Sequence, residues 1–400
     1  MNLFGHENIK LNILKERAYS TRWAEVEDGV IPLTAADSDF PVAPEIVQDL
    51  TDYIKDGYFS YTPKLGLDEC RKSIANALKR RKNEDVDPEL VLPIDSAARG
   101  MFIISEMVLE PGDEAIIFDP VDFLFKESIL AAGGKPVLYS AKINQQGHIS
   151  LDTIEDYITD KTKMICLCNP HNPLGKLYPM EDLDYLLQVA EKHDLWIMND
   201  EIWSDIIYPG NKFNSILELG NNRNKKTISV FGFSKSFGIA GLRAGCIYCQ
   251  DEAVFSRLVD KSHVMTTAGG ITSLSQIAIM ACMDKSYYWL DQLIGHLEKN
   301  RDYVVERIAK MPYISCEKPE ATFLIYADIK ETGMTSEAFV KYLHEQHKLL
   351  IAPGSIQFFG PGSAGHVRIS FSTSHEILKE GMDRLENALK TLDGAGANEI

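Results

Sequence analysis

The sequence predicts an α/β protein in which a largely parallel sheet is covered by helices on both faces, together with a smaller α+β domain. From about residue 67, short apolar runs alternate with helical patterns, and after about residue 285 this alternation stops. Apolar strands separated by helices are typical of parallel sheets with both faces buried. We therefore place a large domain at residues 49–290 and a small domain, formed from both chain ends, at residues 1–48 and 291–400.

The elements follow one another in a regular order. A first amphipathic helix lies in LDECRKSIANALKRRK, because its apolar residues recur at helical spacing. The predicted strands are EAIIF (114–118), KPVLYS, KMICLC (163–168), LWIMND (195–200), KTISVF (226–231) and AGCIYC (244–249), with a helix in PMEDLDYLLQVAEKH (179–193). The long helix SYYWLDQLIGHLEKNRDYVVERIAKM then leads to the strands ATFLIYADI and HVRISFS of the small domain.

The composition is that of a soluble globular protein and disfavours two classes of partner. The chain has 41 Lys and Arg against 58 Asp and Glu, a formal net charge of −17, which repels nucleic acid and anionic membranes. No apolar run is long enough to span a membrane, and the N-terminus lacks the apolar core of a signal peptide. The seven cysteines show neither a disulfide framework nor zinc-ligand spacing. We expect a cytoplasmic protein with reduced thiols and with no metal, nucleic-acid or membrane partner.

Four polar segments adjoin the ends of predicted strands. NPHNPLGK (169–176) follows KMICLC, NDEIW (199–203) closes LWIMND, FSK (233–235) follows KTISVF, and DSAARG (95–100) follows VLPI. Each alone is ordinary, since Asn-Pro loops are usually turns, strand-end carboxylates are usually solvated and a serine before a helix is usually an N-cap. In a parallel sheet, however, such segments converge on the edge where ligands bind.

The order and spacing of these segments resemble the fold-type I pyridoxal-phosphate (PLP) enzymes of the class I/II aminotransferase family, from about Pro32 to Phe371. SKSFGIAGLR resembles the family's Schiff-base lysine motif, NPHNPLG its Asn-Pro signature and NDEIW its aspartate loop. FSYTPKLGLDECRKSIA and PGSIQFFGPGSAGHVRISF are similar to its Tyr-Thr-Pro segment and its substrate-arginine segment. The resemblance implies the fold-type I architecture and PLP as the cofactor.

The resemblance also implies roles for individual residues. Lys235 forms the Schiff base with PLP and later takes the α-proton of the substrate. Asp200 binds the pyridine nitrogen, Asn172 the 3′ oxygen of the ring and Arg243 the phosphate. Further phosphate contacts are expected from backbone N–H groups at a helix N-terminus, those of Ser96, Ala97 and Ala98.

The substrate side is implied in the same way. Arg368 binds the α-carboxylate of the substrate through its planar fork, while Asn172 and the backbone at Ala36 line the substrate. Tyr61 reaches the phosphate held by a neighbouring subunit, which implies a homodimer with shared active sites. The expected partners are therefore an amino acid, a 2-oxo acid and a second copy of the chain.

The sequence departs from the family pattern around the coenzyme ring. Trp203 stands where a tyrosine usually donates to the 3′ oxygen, and an indole N–H can donate, but with a different reach. The position of the aromatic residue that usually stacks on the ring is taken by Asp122. Phe123, the next residue, is the candidate to take over the stacking.

Two further departures concern the phosphate. Gly232 stands where a phosphate-binding serine is common, and Ser234 is the candidate to compensate. Asp95 stands where glycine is common. Because an acid beside a phosphate repels it, we expect Asp95 to point away and to cap the following helix.

The reaction remains open between two enzymatic classes. IPLTAADSDFPV and DEIWSDIIY resemble segments of cystathionine β-lyase-like C–S lyases, although Thr34 replaces their usual tryptophan. GLRAG and HVRISF fit aminotransferases at least as well, and we place the aminotransferase ahead. Both reactions share every step up to loss of the α-proton. A PLP-binding regulatory module ranks last, because the first 30 residues are too short for a winged-helix DNA-binding unit.

Overall fold

The structure, a computed structural model, describes residues 3–220 and 222–394. Their contacts group into two compact units. The larger unit contains Val42–His171 and Lys176–Leu290, and the smaller unit contains the chain up to Pro41, Asn172–Gly175 and the chain from Asp291 onward. The predicted α/β class is confirmed, because a mostly parallel sheet with helices forms the larger unit.

The strands are β1 Ile31–Leu33, β2 Val91–Ile94, β3 Glu114–Asp119, β4 Lys135–Ser140, β5 Thr162–Cys168, β6 Trp196–Asp200, β7 Thr227–Gly232, β8 Gly245–Tyr248, β9 Ser315–Cys316, β10 Leu324–Asp328, β11 Leu349–Pro353 and β12 His366–Ser370. The α-helices are α1 Leu11–Glu16, α2 Thr21–Ala24, α3 Pro44–Lys55, α4 Asp68–Lys82, α5 Ala97–Val108, α6 Phe123–Ala131, α7 Met180–Lys192, α8 Ser234–Phe237, α9 Glu252–Ser262, α10 Ser273–Lys285, α11 Tyr287–Ile308, α12 Ser336–His347, α13 Ile356–Phe359 and α14 His375–Gly394. Short 3₁₀ turns lie at His6–Asn8, Pro88–Leu90, Ile154–Tyr157, Ile216–Leu219, Ala240–Leu242, Lys330–Thr332 and Pro361–Ser363.

The sheet of the larger unit has the strand order β2-β8-β7-β6-β5-β3-β4. β7, β6, β5, β3 and β4 are parallel, whereas β8 runs antiparallel to both β7 and β2. Every residue of β2, β7 and β8 is buried, as expected for strands covered on both faces. Ile104, Phe125 and Leu258, from α5, α6 and α9, are fully buried in one core with strand residues such as Ile117 and Val230.

The smaller unit has its own sheet, in the order β1-β11-β12-β10-β9. β1 is parallel to β11, and the other pairs are antiparallel. The central strand β12 places Arg368 opposite Tyr326 of β10 and Ala352 of β11. Within the part of the chain that the structure describes, no helix combines the length and the apolar character needed to cross a membrane.

Candidate active site

The polar segments of the larger unit lie at one edge of its sheet. Since β5, β6 and β7 are parallel, their last residues, Cys168, Asp200 and Gly232, end at the same edge. β2 runs in the same direction and ends there with Ile94, while the antiparallel β8 begins there with Gly245. The predicted site residues next to these strand ends are Ser96, Ala97, Ala98, Trp203, Ser234, Lys235 and Arg243.

Asp200 is buried at this edge, with 6% of its surface exposed. Its Oδ1 accepts a hydrogen bond from the backbone N–H of Ile202 at 2.9 Å, and the Sγ of Cys168 lies 3.9 Å from its Oδ2. Burial, aided by the negative charges of Asp122 and Glu201, raises the pKa of Asp200 to about 7. A cation placed beside this carboxylate would relieve the unfavourable burial of its charge.

Lys235 is the second residue of the short helix α8 and lies three residues after the end of β7. Its side chain is partly buried, and its Nζ lies 5.8 Å from the centroid of the Trp203 ring. Trp203 is 3% exposed, so the ring is fixed by packing. An aromatic face at this distance attracts a cationic amine. The tryptophan that replaces the family's usual tyrosine therefore has a ring contact with the predicted catalytic lysine.

The N-terminus of α5 lies after β2 at the same edge. The side chain of Ser96 caps this helix by accepting a hydrogen bond from the backbone N–H of Arg99 at 3.1 Å. The prediction that Asp95 is the cap is wrong: Asp95 is exposed, and Ser96, one residue later, has the extended backbone of an N-cap residue and accepts the hydrogen bond from the first turn. The N–H groups of Ala97 and Ala98 belong to the first helical turn, whose donors have no acceptor within the helix.

Two glycines allow neighbouring strands to approach the start of α5. A Cβ atom added at Gly245 would lie 2.4 Å from the backbone nitrogen of Ala97, a distance that neither backbone can accommodate. A Cβ added at Gly232 would lie 3.1 Å from the Cβ of Ala97. A side chain at position 232, such as the serine common in the family, would therefore have to displace Ala97.

Two other predicted phosphate contacts are more open. Arg243 follows a 3₁₀ turn in the left-handed conformation, with φ 51°, and is exposed. Ser234 begins α8 and is half-buried. Tyr61, the residue expected to reach a neighbouring subunit, is 94% exposed.

Asp122 and Phe123 stand at the start of α6. The carboxylate of Asp122 caps this helix by accepting from the backbone N–H of Leu124 at 3.1 Å. Phe123 is the first helical residue and is 38% exposed, which leaves part of its ring accessible. The cap explains why an acid is acceptable here, while the stacking role of Phe123 stays a prediction.

The smaller unit contains the predicted substrate residues. Arg368 donates from Nη1 to Oδ1 of Asn172 and from Nη2 to the backbone oxygen of Thr34, each at 3.4 Å. Its guanidinium carbon lies 5.0 Å from the centroid of the Phe359 ring. Both hydrogen bonds are longer than about 3.2 Å, the usual limit, so a carboxylate ligand would be a stronger partner. Ala36 is half-buried, two residues after Thr34.

Sequence analysis missed a buried polar cluster next to the predicted aspartate. Glu201 is fully buried and accepts hydrogen bonds at Oε1 from Asn199 at 2.8 Å and Ser215 at 2.9 Å. At Oε2 it accepts from Tyr248 at 3.2 Å and pairs with Lys82 at 3.4 Å. Burial raises the pKa of Glu201, but the charge of Lys82 and the hydrogen bonds outweigh it and hold that pKa below its usual value. The members come from distant segments, and no spacing in the sequence signals their contact.

The residues of the larger unit fit the coenzyme that the resemblance implies. Asp200 offers a buried carboxylate with a raised pKa, which suits a cationic ring nitrogen. The N-terminus of α5 offers backbone N–H groups, which suit a phosphate. Lys235 offers an amine at the same edge. Within residues 3–220 and 222–394, no group of three or more His, Cys, Asp or Glu is placed to hold a metal ion.

Comparison with known proteins identifies the family. Residues 28–385 match the family described as Aminotransferase class I and II, and the chain therefore belongs to it. The family predicted from the motifs is thus confirmed.

Individual relatives span nearly the whole chain. Over 365 residues the chain is 30% identical to aromatic-amino-acid aminotransferase 2 of Thermococcus litoralis, covering 91% of this chain and 92% of the relative. The structure is similar to that of aspartate aminotransferase from Thermotoga maritima, with a TM-score of 0.82, 28% identity and coverage of 96% and 97% of the two chains. It is also similar to cystalysin from Treponema denticola, which contains a pyridoxal 5′-phosphate cofactor, with a TM-score of 0.88, 25% identity and coverage of 94% and 97%.

Proposed function

We propose that this protein is a PLP-dependent aminotransferase that moves an amino group between an amino acid and a 2-oxo acid, with Lys235 as its catalytic residue. The observation that carries the proposal is the convergence of a buried aspartate, a lysine amine and a helix N-terminus at one edge of the larger sheet. Family membership and relatives named as aminotransferases over nearly the whole chain support it.

The chain's own residues would divide the chemistry as follows. PLP, when bound, supplies an electron sink for the negative charge left by the departing α-proton. Asp200 would hold the protonated ring nitrogen, and its raised pKa would fall as the two charges pair. Lys235 would hold the coenzyme through its amine. Once the substrate amine has replaced it, the released amine of Lys235 would take the α-proton.

The remaining cofactor contacts are proposed from the same edge of the larger unit and, for Asn172, from the smaller unit. Arg243 would pair with the phosphate through its planar fork, which its exposure permits. Phe123 would stack on the ring, because its own ring is partly exposed at the start of α6. Backbone or side-chain donors to the phosphate are proposed at Ser96, Ala97, Ala98 and Ser234, and contacts near the ring oxygen at Trp203 and Asn172.

We assign the α-carboxylate of the substrate to Arg368. A carboxylate can accept two parallel bonds from a guanidinium, each shorter than the 3.4 Å contacts that Arg368 makes with Asn172 and Thr34. Asn172 and the backbone at Ala36 would line the same substrate. An Arg368→Ala variant should therefore lose affinity for amino acids while its affinity for PLP is nearly unchanged.

A homodimer with shared active sites is also part of the proposal. Tyr58, Phe59 and Tyr61 are 78%, 58% and 94% exposed in the single chain, an unusual cluster of aromatic surface. Phe59 and Tyr61 also line a cavity of about 630 Å³ in the larger unit. We propose that a second copy covers this surface and receives Tyr61 at its phosphate.

Mixed dimers test this assignment. A Tyr61→Ala chain and a Lys235→Ala chain, each nearly inactive alone, should form hybrids with one complete site, so that random mixing restores roughly a quarter of the wild-type activity. No recovery in hybrids that have demonstrably formed would contradict the sharing of sites.

We also propose a cytoplasmic location. All seven cysteines lie in the described part of the chain and none forms a disulfide there, and six of them are buried. Unbonded thiols in this number are typical of a reducing compartment. Separation of a native cell extract into membrane, periplasmic or organellar and cytosolic fractions would test this.

A C–S β-lyase is the second candidate function. The likeness to a structure described as a putative PLP-dependent β-cystathionase from Corynebacterium diphtheriae, with a TM-score of 0.85 and 25% identity, favours it. The segments IPLTAADSDFPV and DEIWSDIIY, which resemble those of C–S lyases, support the same reading. In that reaction the substrate would expel a group from its β-carbon after losing the α-proton. The residue assignments above apply equally to both reactions.

The deciding experiment combines a spectrum with product analysis. The PLP-loaded protein is treated with a panel of amino acids that includes aspartate, aromatic amino acids and cystathionine. We expect the visible absorbance of the coenzyme to be lost with an amino acid and restored by a 2-oxo acid. Steady accumulation of pyruvate and ammonia from cystathionine, with the visible band retained, would instead establish the lyase.

A matched pair of lysine variants controls the assignment of the catalytic residue. Lys235→Ala should abolish turnover, whereas Lys212→Ala, at an exposed position, should behave like the wild type. Full activity in Lys235→Ala would overturn the assignment of Lys235.

A further inference from the structure

A buried arginine of the smaller unit is surrounded by acceptors. Arg22, on α2, is 2% exposed. Its Nη1 donates to the backbone oxygens of Ala35 at 3.3 Å and Asp37 at 3.0 Å, and to the Oγ of Ser370 at 3.3 Å. Its Nη2 donates to the backbone oxygen of Ser372 at 3.3 Å. One guanidinium therefore connects the segment after β1 with the end of β12.

The charge of Arg22 is balanced by Asp39, which is 3% exposed. The Oδ2 of Asp39 lies 2.5 Å from Nη2 of Arg22, and its Oδ1 accepts a hydrogen bond from Nε1 of Trp23 at 2.7 Å. The backbone N–H of Asp39 also donates to the oxygen of Ser372 at 3.2 Å. A buried ion pair is weak evidence for stability, because desolvation offsets most of the attraction. Such a pair is better explained by the conformation it imposes.

The conformation it imposes is that of the segment 34–39 against β12. This segment begins at Thr34, whose backbone oxygen accepts from Arg368, and contains Ala36. Arg368 lies on β12, two residues before Ser370, which Arg22 contacts. The bond from Arg368 to Thr34 is a single contact of 3.4 Å. Arg22 donates to the segment's backbone at 3.0 and 3.3 Å, pairs with Asp39 at 2.5 Å, and donates to Ser370 and Ser372 at 3.3 Å. The contacts of Arg22 are therefore the more extensive link between the two chain segments.

We propose that Arg22, with Asp39 and Trp23, is a positioning device that sets the site for the substrate's α-carboxylate. It holds the backbone of segment 34–39 at a fixed distance from Arg368 and so orients the guanidinium that receives the carboxylate. This inference rests on the proposed function, because it deepens the role assigned to Arg368. Arg22 itself has no contact with the substrate.

The test measures carboxylate binding separately from cofactor binding. PLP-loaded protein is titrated calorimetrically with pyruvate, oxaloacetate, 2-oxoglutarate and phenylpyruvate, which carry the carboxylate but have no amino group to transfer. The tightest ligand of the wild type is then used for the variants. The variants of the positioning device are Arg22→Lys, which keeps the charge but loses the planar guanidinium, and Trp23→Phe, which removes one donor to Asp39. Arg17→Met, at an exposed position five residues before Arg22 in the sequence, is the control.

We expect Arg22→Lys to raise the dissociation constant of the oxo acid roughly tenfold, the scale of one lost hydrogen bond to a charged group, and Trp23→Phe to raise it by less. The dissociation constant of PLP should stay within about twofold of the wild type, as should both constants in Arg17→Met. If Arg22→Lys does not fold, Trp23→Phe decides.

The contrary outcomes are separable. The positioning role would be overturned if the variants at Arg22 and Trp23 bind the oxo acid as tightly as Arg17→Met, or if they lose affinity for PLP and for the oxo acid equally. Such a result leaves the proposed function intact if the wild type binds the oxo acid and Arg368→Ala does not. A wild type that binds none of the four acids and transaminates no amino acid would instead overturn the proposed function, and with it this inference.

Discussion

Replacing Asp200 by asparagine should change how the stability of the cofactor-free protein depends on pH. Burial raises the pKa of this carboxyl from 3.8 to about 7 in the folded chain. Between these two values the unfolded chain has lost the proton while the folded chain keeps it. The free energy of unfolding therefore falls as the pH rises from about 4, and the fall ends once the pH exceeds about 7. The Asp200→Asn variant has no proton to lose there and should lack this fall.

The size of the effect follows from the shift. Each unit of pKa difference corresponds to about 1.4 kcal/mol, so the full loss is about 4 kcal/mol at high pH. More than half of it falls between pH 5 and pH 8, a range in which the protein can be handled. With PLP bound, the wild type should instead be more stable than Asp200→Asn. The protonated ring nitrogen of PLP would compensate the buried charge of Asp200, whereas a neutral amide has no charge to compensate.

The assay is urea unfolding of both cofactor-free proteins at steps of one pH unit. The quantity compared is the difference in their unfolding free energies, so that groups titrating in both proteins cancel. Asp95→Asn, which removes an exposed carboxylate at the same sheet edge, is the matched control and should follow the wild type. Parallel pH profiles for wild type and Asp200→Asn would refute the reasoning, because they would mean that the buried carboxylate is not destabilised in the absence of PLP.

Three further predictions concern the phosphate site, the buried cluster and the substrate. Gly245→Ala should weaken PLP binding at least tenfold, because the Cβ of the new alanine would lie 2.4 Å from the backbone of α5. Gly295→Ala, whose Cβ would have nothing within 4 Å, should bind PLP like the wild type. Equilibrium dialysis measures the PLP affinity of both variants. Lys82→Met should lower the free energy of unfolding, measured with urea, by about 3–5 kcal/mol, and adding Glu201→Gln should recover part of this loss. Losses that simply add in the double variant would contradict the pairing of Lys82 with Glu201. Arg368→Lys should raise KM for amino acids while PLP affinity holds, and equal losses of both would indicate a structural role.

Much of the fold could be predicted from the sequence, because most of its strands are short apolar runs that do not also show helical periodicity. The predicted run KMICLC became β5, Thr162–Cys168, and PMEDLDYLLQVAEKH became α7, Met180–Lys192. Strands such as β9 and β11 were missed, since a two-residue strand has no periodicity and LLIAP ends in a proline followed by glycine, a pair that indicates a turn.

Only part of the site could be predicted from the sequence, and there is a physical reason why some residues could be predicted and others could not. Asp200 and Lys235 follow strands, so a parallel sheet dictates that they share an edge. The helix cap was misassigned, because Asp95 and Ser96 are both good capping residues and only the backbone conformation selects between them. Arg22 could not be found at all, since its role depends on contacts with residues about 350 positions away.

Two adjacent carboxylates show how the chain prepares one position for a ligand. Side chains of consecutive residues at a strand end point in different directions, so Asp200 and Glu201 enter different surroundings. Glu201 meets Lys82 and three hydrogen-bond donors, which hold its pKa below the usual value despite full burial. Asp200 is buried with a backbone N–H and a thiol beside its oxygens, and burial raises its pKa to about 7. Environments that push neighbouring pKa values apart are typical of sites that assign different roles to like groups. The charge of Glu201 is thus compensated permanently by groups of the protein. The charge of Asp200 is best compensated by a cationic group supplied from outside the chain.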